Sequence, residues 1–126
     1  MSVVLDSSAL LAVLQGEPGA DAVMPALQGA LVSAVNAAEV VTKLVEIGMT
    51  PVEAGTNLTR LDVDIIAFDA VQAQQTGALR PLTRHLGLSL GDRACLALAQ
   101  QRRATVLTAD RPWAGLDLGI AIEVIR

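Results

Sequence analysis

Short, mostly aliphatic runs alternate with helical segments along this chain, and that alternation restricts the fold more than any other feature. Val3-Val4-Leu5 is the first such run, and others lie at 30–33, 63–68, 105–107 and 120–125. Runs this short, rich in β-branched residues and bounded by turn formers, read as strands. They carry few polar residues, as strands covered on both faces do, so the sheet is expected to be parallel with helices on each side. Between the strands, Ser7-Ser8 opens a helix through Leu10, Leu11 and Leu14 that Gly16, Pro18 and Gly19 end, and a second short helix runs to about Leu27. Asn36 is expected to open an amphipathic helix through Val40, Val41, Leu44, Val45 and Ile47. Thr50-Pro51-Val52-Glu53 opens the next, and Asp69 starts one that ends or kinks at Pro81. Ser89 caps a long apolar helix reaching Arg103. The expected class is α/β, with about five parallel strands flanked by helices in a single domain, 1–126.

Composition then removes whole classes of function. Aromatics make up 2% of the chain, Phe68 and Trp113 with no Tyr, so no platform of stacked rings can hold nucleic acid. One cysteine, Cys95, forms no internal disulfide and no cysteine zinc site. One histidine, His85, rules out sites that need two, and no Gly-x-Ser-x-Gly elbow presents a serine to it. A P-loop is missing, and the single lysine, Lys43, does not suit a receiver domain. An aspartyl-phosphate enzyme would want a second acid two residues after Asp6, where Ser8 stands. The longest uncharged stretch, 22–38, is broken by Pro25, Gln28, Gly29, Ser33 and Asn36, so a membrane span is rejected and a cytoplasmic protein expected. What remains for chemistry is 13 carboxylates in a chain of net charge −4.

Four of them stand out by position. Asp6 and Asp110 follow strands, where open parallel sheets bind their ligands. Glu39 and Asp92 fall in the first turns of two helices, three residues after Asn36 and Ser89. Each also has a structural reading: an N-cap for Asp6, capping boxes for Asn36–Glu39 and Ser89–Asp92, and a turn for Asp110. Thr50–Glu53 shows the same box with no chemistry attached. The set carries the functional argument. Carboxylates brought to one sheet edge repel one another unless a hard cation neutralises them, and helix N-termini favour negative charge at Glu39 and Asp92.

The segments VVLDSSALLAVLQGEPG, SAVNAAEVV, GLSLGDRACLALAQ and VLTADRPW, in this order and spacing, resemble the PIN domain, and more narrowly the toxin subunit of bacterial VapBC toxin–antitoxin pairs. The resemblance runs from Val3 to about Val124. It implies a PIN-like three-layer fold and an endoribonuclease dependent on Mg²⁺ or Mn²⁺. The family's acidic quartet falls on Asp6, Glu39, Asp92 and Asp110, the last at its most variable position. On this basis Asp6 and Asp92 are the expected main metal ligands, and Asp110 completes the set directly or through water. Glu39 either orients water or serves as general base. Thr108 and Asn36 match polar positions beside the site, and each also has a structural role open to it. Arg93 and Arg111 adjoin site carboxylates and are candidates for RNA phosphate contacts. Arg80, Arg84 and His85 read as surface, Cys95 as core, and Trp113 as packing a loop. A homodimer and a cognate antitoxin lying over the active-site groove are implied as partners. The competing reading is a PIN-like interaction module without catalysis, and the intact quartet argues against it.

Overall fold

A computed structural model describes residues 2–126. Strands β1 (Val3–Leu5), β2 (Leu31–Ser33), β3 (Asp64–Ile66), β4 (Thr105–Thr108) and β5 (Ile122–Val124) form one parallel sheet in the order β3-β2-β1-β4-β5. Among the described residues seven helices flank it: α1 (Ser7–Gln15), α2 (Ala20–Val23), α3 (Ala34–Glu46), α4 (Pro51–Thr59), α5 (Ala70–Ala78), α6 (Arg80–Thr83) and α7 (Leu90–Arg102). Short 3₁₀ turns follow α2, α6 and β4. Among the described residues no helix is long and apolar enough to cross a membrane.

Double burial is visible residue by residue in the three central strands. Val4, Leu31 and Val106 enter a core with Cys95, Leu96, Leu98 and Trp113. Their neighbours Leu5, Val32 and Leu107 enter a second core with Leu10, Val40, Leu44 and Leu58. Side chains alternate across a strand, so a strand with a core on each face must be apolar at every position.

The edge strands depart from the sequence expectation. The run at 63–68 yields only Asp64–Ile66, and Ile65 is 49% exposed. Its partner β2 offers three residues, Leu31 to Ser33, before Ser33 turns into α3, so Ala67 and Phe68 have no ladder to join. The run at 120–125 likewise pairs over Ile122–Val124, opposite Val106, Leu107 and Thr108.

The start of α3 is also corrected. Ser33, not Asn36, is the N-cap, its hydroxyl accepting from Val35 N. Asn36 lies inside the first turn and is 1% exposed, so Asn36–Glu39 is not a capping box. Thr50 caps α4 and Ser89 caps α7 as expected, and Gly16 ends α1 in the left-handed region at φ 64°. Glycine is the residue that adopts that conformation without a steric penalty.

This order places β1 beside β4, where the direction of strand succession reverses. Crevices at such a point, beyond the carboxyl ends of the strands, are where open α/β sheets bind ligands.

Candidate active site

Asp6 is the first residue past β1 and stands at that reversal. Its backbone N–H donates to Leu107 O of β4 (3.3 Å), which keeps the two strand ends together. The carboxyl is 4% exposed and fully engaged. Oδ1 accepts from Ala9 N (2.9 Å), capping α1, and from Ser8 Oγ (2.7 Å); Oδ2 accepts from Thr108 Oγ1 (2.6 Å). Burial raises the Asp6 pKa above its ordinary value, the three hydrogen bonds pull it back, and the charge of Asp92 raises it further.

Glu39 sits on the exposed side of α3, held by a small network. Its Oε1 accepts from Ser7 Oγ (2.6 Å) and Asn36 Nδ2 (3.0 Å). The Asn36 amide also reaches Ser7 Oγ (3.2 Å) and Gly91 O (3.1 Å), so one buried amide joins α1, α3 and α7. Asp92 occupies the first turn of α7 in a complete capping box: Oδ2 accepts from Ser89 N (2.9 Å) and Ser89 Oγ from Asp92 N (3.2 Å).

Cys95, one turn further along α7, has its thiol pKa pushed well up by burial first, and then by Asp6, Asp92 and Glu39. Asp110 stands just past the end of β4. It is half-buried, and its backbone N–H donates to Thr108 Oγ1 (3.0 Å), so Thr108 holds the quartet's first and last members on one hydroxyl.

The family model for the PIN domain matches residues 3–117. The chain belongs to the PIN domain family. Solved structures agree in fold. A toxin–antitoxin complex from Klebsiella pneumoniae contains a chain 22% identical, with a TM-score of 0.74 over 95% of this chain and 96% of that one. DNA-bound VapBC from Salmonella typhimurium has a chain 16% identical, with a TM-score of 0.75 over 100% and 99%. VapC20 of Mycobacterium tuberculosis, a sarcin–ricin loop cleaving toxin, is 16% identical with a TM-score of 0.73 over 95% and 99%. No curated protein sequence matches the chain.

The donor chemistry of this PIN domain fits a hard divalent cation. Asp6, Glu39 and Asp92 offer only oxygen. None of the quartet is in an ion pair, since the one salt bridge among the described residues joins Arg126 to Glu17. Among the described residues no three His, Cys, Asp or Glu side chains are gathered tightly enough to hold an ion as they stand. Each carboxylate is instead held by its own hydrogen bonds. Mg²⁺ needs only one or two carboxylates and keeps several waters, so a loose set does not disqualify it.

The arginines beside the site are tied elsewhere. Arg93 Nη1 donates to Thr76 O (3.2 Å), and Arg111 Nε to Arg126 O (2.9 Å). His85 is exposed, while Cys95 and Trp113 are fully buried, as the sequence suggested. Arg80 is exposed but donates to Leu88 O (3.2 Å), bracing the approach to α7.

Sequence reasoning missed Ser7 and Ser8 as site residues. The dipeptide reads as a helix start, yet Ser7 serves Glu39 while Ser8 serves Asp6 and accepts from Ala109 N (2.9 Å). No spacing rule exposes that division, because it depends on where α3 and β4 arrive. Thr108 gives a direct test of the assembly. Thr108→Val keeps the shape but removes the donor to Asp6 and the acceptor for Asp110 N. It should lower stability by about 1–3 kcal/mol, the usual cost of stranding buried polar groups. A denaturant midpoint equal to that of wild type would show that these bonds are not made in solution.

Proposed function

We propose that this PIN domain is a metal-dependent endoribonuclease acting as the toxin of a bacterial toxin–antitoxin pair. The observation that supports the reading is the hydrogen-bond network past the strand ends: Ser7, next to Asp6, holds Glu39, Asn36 ties Glu39 to Gly91 beside Asp92, and Thr108 joins Asp6 to Asp110, with no protein cation paired to any of the four. Similarity in fold to chains from toxin–antitoxin complexes, and to a toxin that cleaves the sarcin–ricin loop, supports it.

Asp6 and Asp92 are the carboxylates assigned to hold Mg²⁺ or Mn²⁺, with Asp110 completing the set directly or through water. A cation held by these residues would supply Lewis acidity toward water and toward the scissile phosphate. Thr108 and Ser8 fix the rotamer of Asp6, and the α1 cap keeps Oδ1 facing the helix N-terminus. Asn36 and Ser7 aim Glu39, which orients the attacking water or takes its proton. Arg93 and Arg111 lie beside Asp92 and Asp110 and are assigned to RNA phosphates. They would first have to exchange their present carbonyl partners for the substrate. The partners proposed are an RNA substrate, a cognate antitoxin and a second copy of the chain, in the cytoplasm.

Purified protein should cleave RNA with Mg²⁺ or Mn²⁺ and stop with EDTA. Expressed without an antitoxin it should slow growth, and Asp6→Asn should relieve the effect. Abundant wild-type protein that leaves both RNA and growth untouched would instead indicate a PIN-like interaction module without catalysis.

A further inference from the structure

Gly91 lies in the first turn of α7, between the cap Ser89 and Asp92. Its backbone is ordinary helix, so no positive φ calls for glycine. Helix preference alone would place alanine there. Three other glycines without a positive φ, Gly55, Gly77 and Gly115, have open space where a Cβ would stand. Gly91 differs: a Cβ would overlap the Glu39 carboxyl group, and its three nearest contacts are all atoms of that group. The Gly91 carbonyl also accepts from Asn36 Nδ2, the donor that holds Glu39 Oε1.

We propose that Gly91 is a positioning residue for Glu39: its missing side chain is the space in which the carboxyl group lies against α7, bonded to Ser7 and Asn36. The obstructing atoms are the end of a flexible side chain, so a methyl group here displaces Glu39 rather than the helix. The fold tolerates the change and the carboxylate loses its place. The effect on turnover rests on the nuclease reading above, whereas the seating of the carboxyl group does not.

Four proteins test this: wild type, Gly91→Ala, Glu39→Ala and the double variant, with Gly77→Ala as a control for glycine replacement in a helix. In the wild-type background Gly91→Ala should lower RNA cleavage by about 100-fold, the scale expected when a reacting group is misplaced by an ångström. The Gly77→Ala control should cleave at the wild-type rate. In the Glu39→Ala background the Gly91 methyl group has room, so it should raise the melting temperature more than it does beside Glu39 and should not slow cleavage further. A crystal structure of Gly91→Ala should show Glu39 parted from Ser7 and Asn36. The proposal is overturned if Gly91→Ala shifts the melting temperature equally in both backgrounds, or if Glu39 keeps both hydrogen bonds in the variant. A wild-type protein that cleaves no RNA sinks the nuclease reading alone, because the melting-temperature comparison and the crystal structure still decide the seating.

Discussion

Asp6→Asn should give a folded protein whose RNA cleavage is down by at least about 10³-fold, roughly 4 kcal/mol in barrier height. The variant loses the charge that would hold the cation but keeps the shape. An amide oxygen can still accept from Ala9 N and cap α1, and Thr108 Oγ1 can turn its proton away and accept from the new amide nitrogen. Asp6→Ala is a poorer test. It strands Ala9 N and the Thr108 hydroxyl in a buried site, at about 1–3 kcal/mol each, so lost activity and lost fold would be confounded.

Stability should move the other way in Asp6→Asn. Because burial raises the Asp6 pKa, the native state binds this proton more tightly than the unfolded chain does. The associated stability is fully present below the ordinary carboxylate pKa and is lost as pH rises through the raised native value. Metal-free wild type near neutral pH therefore carries a buried charge, only partly offset by its three hydrogen bonds, that Asp6→Asn lacks. Melting curves in EDTA should show the variant ahead at neutral pH and the gap closing on acidification. A gap that is constant with pH would mean that Asp6 titrates normally. Retained metal-dependent turnover in Asp6→Asn would remove Asp6 from the reaction.

Asp92→Asn should combine a higher melting temperature without metal and a weaker response to metal. Its amide oxygen can still accept from Ser89 N, so the capping box survives in form. Losing the charge at the helix N-terminus costs about 0.3–1 kcal/mol. The expected rise requires that relief of the repulsion with buried Asp6, which raises the Asp6 pKa, exceed that cost. Mg²⁺ at tenfold its dissociation constant should stabilise wild type by about 1.4 kcal/mol and Asp92→Asn by less, with cleavage down about 10²-fold. A lower melting temperature in EDTA with an undiminished response to Mg²⁺ would leave Asp92 as a helix cap and nothing more.

For Asp6 and Asp92 the structural reading holds, since each carboxylate caps a helix, and it leaves the functional reading open. A capping signature in sequence therefore neither supports nor removes a catalytic assignment. The central strands were legible because Val4-Leu5, Leu31-Val32 and Val106-Leu107 each feed two cores. The outer strands were less so, since their length depends on how many partners β2 and β4 leave them. Asn36 takes a different structural role from the cap its spacing suggests. Its spacing from Glu39 resembles a box, but Ser33 already caps the helix, and the amide is free to bridge three helices. The roles of Ser7 and Ser8 were illegible because their partners lie 32 and 101 residues away in Glu39 and Ala109.

The bond from Thr108 to Asp6 spans 102 positions of the chain, and that separation has a consequence during synthesis. On the ribosome, β1 emerges first and must wait for β4 before Asp6 acquires its Oδ2 partner and its strand neighbour. At about 5–20 residues per second the wait is roughly 5–20 s. Throughout that interval the nascent chain lacks the Thr108 hydroxyl that Asp6 bonds, and through most of it Asp92 as well. The bond that fixes Asp6 Oδ2 therefore forms only once β4 has been made, a delay set by how far β4 follows β1 in the chain.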